Sequence, residues 1–120
     1  MNFLSYLLRA KTHFSLHSPF VYRLYTEVLT SRAEGAPKRR YEAMVWRLER
    51  YYGVEAMRNA GTAELQTPDG HFLIIDHPYR DANDWEELIH DSHWQVTLDF
   101  FTVGIAIINP HLSKQHFILR

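Results

Sequence analysis

His71-Phe72-Leu73-Ile74-Ile75-Asp76 is an almost unbroken apolar run, and its reading decides the fold. Its length suits a strand, and its lack of alternation predicts a strand covered on both faces. Just before it, Thr67-Pro68-Asp69-Gly70 has Pro and Gly where turn geometry favours them. Thr62 to Gln66 is a weaker strand, so 62–76 reads as a hairpin. Just after it, Asp81-Ala82-Asn83-Asp84 opens a helix with acidic residues at its positive end. Trp85, Leu88 and Ile89 form that helix's apolar side. From Trp94 to Phe100, Val96, Leu98 and Phe100 alternate with Gln95, Thr97 and Asp99. The strand is expected to continue over Val103 to Ile108 after a bend near Gly104. Strand 71–76, helix 81–91 and strand 94–108 therefore form one crossover unit, expected to be right-handed and parallel.

Asn109-Pro110 ends the second strand, and His116 to Arg120 reads as a last one, antiparallel because only a short loop precedes it. The first half is helical. Phe3, Leu4, Leu7 and Leu8 fall at helical spacing up to about Lys11. Ser18-Pro19 is a helix start: Ser caps, and Pro suits the first turn because its missing N–H would be unpaired there anyway. That helix is expected over 18–31, with a loop at 32–38. A third helix over 39–52 carries Tyr41, Met44, Val45, Leu48 and Tyr52 as its stripe and stops at Gly53. Residues 54–61 read as a further helical turn.

The chain has 120 residues, 46% hydrophobic and 22% charged, which is one ordinary globular domain. Thirteen basic and fourteen acidic residues leave a net charge of -1, far from the basic bias of nucleic-acid proteins. Lys38-Arg39-Arg40 is too short a basic run to form a binding patch. No apolar run approaches the roughly 20 residues of a membrane span, and the N-terminus lacks a signal-peptide pattern. Absent cysteine excludes disulfides and thiolate chemistry and fits a cytoplasmic location.

Eight histidines are many for this length. His13 and His17 are four apart, and His90 and His93 three apart, spacings at which a helix could present two imidazoles to a metal. Pro19 puts the first pair outside its helix, and the second straddles a helix end, so no metal site is expected. A Gly-x-Ser-x-Gly elbow and a phosphate-cradling glycine loop are both missing. Asp76 is the better candidate, because ligands of open α/β sheets sit beyond the carboxyl ends of strands. His77 and Tyr79 follow it there. The competing reading is structural: Asp76 caps a turn or pairs with Arg80.

Leu7-Leu8-Arg9-Ala10-Lys11-Thr12-His13 with His17-Ser18-Pro19-Phe20-Val21-Tyr22 resembles the N-terminal segment of a bacterial group of class I S-adenosylmethionine-dependent methyltransferases. Val96 to Ile108 with Lys114-Gln115-His116-Phe117-Ile118-Leu119-Arg120 is similar to that group's C-terminal strands, and Phe72 to Asp76 with Trp85 to the strand and helix before them. The resemblance covers roughly 1–52 and 71–120. Between the two parts, about 18 residues (53–70) stand where the family has several strand–helix units, with a glycine-rich turn and a ribose-binding acid. Its acidic pair is reduced here to Asp76 with His77.

The resemblance thus implies an α/β fold, a partial Rossmann-like methyltransferase. It would have a helical segment over 1–52 and a half-sheet with one crossover helix over 62–120, on a mixed sheet of about four strands. The expected function is non-catalytic, with no catalytic residue and no cofactor, through self-association or docking onto a full-length relative. One alternative is a methyltransferase whose site is completed across an oligomer, with S-adenosylmethionine near Asp76, His77 and Tyr79. Another is a small-ligand or metal module using His71, His77 or His116.

Overall fold

A computed structural model describes residues 18–120. The expected helix over Phe3 to Lys11 and the His13–His17 pair lie outside the described residues. Ser18 caps the first described helix, its Oγ accepting the Val21 N–H at 3.3 Å. Helix α1 (Pro19–Arg23) continues as a π-helix over Leu24–Leu29. Helix α2 (Arg40–Tyr52) ends at Gly53, whose φ of 67° is the left-handed stop expected of glycine there.

Six strands follow where about four were expected: β1 (Met57–Asn59), β2 (Thr62–Thr67), β3 (Gly70–Asp76), β4 (Val96–Asp99), β5 (Val103–Ile108) and β6 (Gln115–Ile118). Two corrections account for the difference. Residues 57–59 pair with β2 as an edge strand rather than coiling into a helical turn. The segment 94–108 is not one bent strand but a hairpin that reverses at Phe100–Thr102, where the Phe100 N–H donates to the Val103 carbonyl at 2.9 Å.

The strand order is β1-β2-β3-β5-β4-β6. A short 3-10 turn (Pro78–Asp81) and helix α3 (Ala82–His90) join β3 to β4. These two strands run in the same direction, as the crossover reading required. They are not neighbours, because β5 lies between them, antiparallel to both. The last strand, β6, points opposite to its predecessor β5 but does not pair with it. Its partner is β4, and that pairing is parallel.

The alternation of each strand divides the sheet into two faces. Ala63, Leu65, Phe72, Ile74, Ile105, Ile107, Val96 and Leu98 share one face and join Val21, Leu24, Leu29, Met44, Val45 and Leu48 in a single core cluster. Helices α1 and α2 therefore cover this face. On the other face α3 lies over the centre. A Cβ on Gly104 would stand 2.8 Å from Trp85 Cη2 and 3.2 Å from Pro78 Cγ, so glycine here is what lets the indole lie on the sheet. Beyond α3 the same face carries Thr62, Glu64 and Gln66 on β2, a polar surface suited to water. No described helix is long and apolar enough to cross a membrane.

Candidate functional site

Because β3 and β4 run the same way, their carboxyl ends lie at one end of the sheet, and each ends in an aspartate, Asp76 and Asp99. The two carboxylates face opposite sides. Asp76 pairs in register with Val103 of the helix-covered face, and its side chain is only 6% exposed. Its Oδ2 accepts from the Arg39 guanidinium at the start of α2, and its Oδ1 accepts from His77 Nδ1 at 2.7 Å. A buried carboxylate needs such partners, since removal from water without them costs several kcal/mol. The structural role weighed for Asp76 is thus real, but its ion-pair partner is Arg39 rather than Arg80.

Asp99 looks to the other face and is fully buried. It accepts from the Tyr79 hydroxyl, from Trp85 Nε1 at 3.3 Å, and at its second oxygen from the Phe101 N–H at 2.8 Å. Tyr79, expected beside Asp76, therefore belongs to Asp99. The only non-glycine residues with positive φ among the described ones, His77 (51°) and Phe101 (68°), both lie at this end of the sheet. The His77 N–H donates to the Thr102 carbonyl at 2.8 Å, so the two strained turns brace each other.

Asp76 and His77 border a cavity of about 440 Å³ between the β1–β2 turn and α3. Its wall includes Ile75, Pro78, Trp85 and Leu88, with Arg80, Asp81 and Asp84 around it. Tyr79 lines a different cavity of about 540 Å³ across α3, with Glu86, His90 and His116. The three candidate residues are accordingly split between two hollows.

The other histidines are dispersed. His71 reaches Gln66 Oε1 at 2.8 Å and Glu64 Oε1 at 3.0 Å on the polar part of the sheet. His116 Nδ1 meets the buried Thr97 hydroxyl at 2.7 Å. His90 Nδ1 meets the Glu86 carbonyl at 2.9 Å, and the His93 N–H donates to Asp91 Oδ1 at 2.9 Å. Among the described residues no three His, Asp or Glu side chains converge on a metal position.

Sequence reasoning missed Arg39 and Asp99. In the sequence Arg39 stands in the short basic run Lys38-Arg39-Arg40, and Asp99 among the polar residues that alternate with Val96, Leu98 and Phe100. The available signal was the aspartate ending each co-directed strand. Comparison with protein-family models, curated proteins and solved structures finds no match.

Proposed function

We propose that this is a shortened, methyltransferase-like protein of partial Rossmann-like design that transfers no methyl group and acts in the cytoplasm through association with a second copy of itself or with a full-length relative. The observation that carries the reading is the company β3 keeps. Both its neighbours, β2 and β5, are antiparallel to it. A nucleotide-type cofactor binds in the crevice where two strand–helix units diverge from adjacent parallel strands. Here the one crossover leaves from β3, and an antiparallel hairpin stands where the second unit would begin. The acid best placed for chemistry, Asp76, is already held by Arg39 and His77.

Association is supported by β1, a sheet edge whose three residues are all exposed, with Met57 77% accessible. Natural proteins usually cover or charge such edges. Light scattering at tens of micromolar protein should return a mass above that of one chain, and a clean monomer refutes the association. Calorimetric titration with S-adenosylmethionine should give no saturable heat. Saturable binding would instead favour an enzyme with its site completed across an oligomer.

A further inference from the structure

We propose that a second copy of the chain docks its helix α3 at the cleft between the π-helix and α2, in a head-to-tail contact directed by charge. The contact rests on the self-association proposed above and gives it a surface. The cleft encloses about 190 Å³, and its walls include Val28, Trp46, Arg47, Arg50 and Tyr51, with Glu27 as its single acid. Arg50 lies over the Trp46 ring at 4.6 Å, which presets its direction. Arg47 donates through a terminal nitrogen to the Leu29 carbonyl at 3.2 Å, and its buried Nε has no hydrogen-bond partner. Among the described residues neither guanidinium has a carboxylate within ion-pair reach. The acids of α2 itself, Glu42 and Glu49, are taken by Arg58 of β1. A partly buried cation with an unmet donor gains from a carboxylate brought to it from outside.

Helix α3 carries the complement. It has no Lys or Arg, and Asp84 and Glu87 stand exposed three residues apart, with no cation within ion-pair reach among the described residues. Arg47 and Arg50 have the same separation. Both pairs are therefore spaced by about 4.5 Å along their helices, so two helix faces can match them charge for charge. Within one chain they cannot meet, because α2 covers one face of the sheet and α3 the other. Tyr51, 47% exposed, and the partly buried Trp46 and Leu88 add apolar area beside the charges. Each copy offers a different patch, so the contact is heterologous: it leaves one cleft and one α3 open for further copies.

Sedimentation velocity on the full chain tests the contact in about 0.01 M and about 1 M salt, between which the screening length falls from about 30 Å to about 3 Å. The mass should exceed that of one chain in low salt and approach it in high salt. Arg50→Glu and Glu87→Arg, both at exposed positions, should each weaken association at least about tenfold in low salt, because like charges would then face each other. Both changes in one chain should restore it. Thermal melts by circular dichroism verify that the variants fold. A monomer in every salt refutes self-association and this contact with it. Association that persists in high salt, that survives either reversal, or that the double variant fails to recover leaves self-association standing but overturns the docking of α3 at the cleft.

Discussion

Gly104 and Trp85 occupy space that a single added methyl group would contest. Gly104→Ala would bring a Cβ to 2.8 Å from the indole, itself buried and anchored to Asp99, so neither side has room to yield. Overpacking of this kind costs about 1–3 kcal/mol, which urea denaturation should show as a lower midpoint. Tyr52 makes a second residue-level prediction. Burial, and then the hydrogen bond it donates to Asp69 Oδ2 at 2.7 Å, raise its phenol well above the ordinary 10.0. The unfolded chain loses that proton near pH 10, while the folded protein still holds it. Stability is therefore complete below pH 10 and falls as pH rises through the interval above. Tyr52→Phe should lose about 1 kcal/mol at neutral pH with the hydrogen bond and show a shallower alkaline decline in denaturation followed from pH 8 to 11. The decline will not vanish, because burial also raises Tyr41. Lys114, lowered by desolvation, works the other way at high pH.

At the scale of elements, the signals that could be read were those a residue gives locally. Ser18-Pro19 starts α1, Gly53 stops α2, and Thr67 to Gly70 turns the β2–β3 hairpin, each through its own backbone preference. Ser18→Ala should accordingly cost about 1 kcal/mol through the lost cap, measurable by thermal or chemical denaturation. The β4–β5 reversal gave no such sign. It falls on Phe100-Phe101-Thr102, with Phe101 rather than glycine or asparagine at positive φ. Both strands are buried on both faces, and the alternation along 94–100 passes into the apolar run 103–108 with no glycine, proline or asparagine between them. Gly104 reads as a bend in the sequence, yet its structural reason is the indole of Trp85 above it. The three residues of β1 are too few to show a period. The pairings of Asp76 with Arg39 and of Asp99 with Tyr79 and Trp85 depend on packing between distant elements, which no local pattern encodes. Only the placement of Asp76 and His77 at a strand's carboxyl end was legible in advance.

For the whole molecule, the sheet grades from a centre buried on both sides to an exposed margin. Phe72, Ile74, Ile105 and Ile107 are fully buried, whereas every residue of β1 is exposed. Native-state hydrogen exchange should find the amides of β3 and β5 the slowest, exchanging only through global unfolding, and those of β1 the fastest by local opening. Comparable protection in β1 and β5 would contradict this gradient, or would show that β1 is covered by a partner chain.

The insertion of β5 between β3 and β4 also governs the order of assembly. As the chain leaves the ribosome, β3 has only β2 beside it, and β4 emerges with nothing yet to join it to the rest of the sheet. Residues 103–108 then close both gaps at once, because β5 pairs with β3 on one side and β4 on the other. Without β5 the molecule would hold two unconnected ribbons, β1-β2-β3 and β4-β6. A nascent chain halted after β4 should therefore stay protease-sensitive throughout its sheet, and protection should appear in one step once β5 is free to insert.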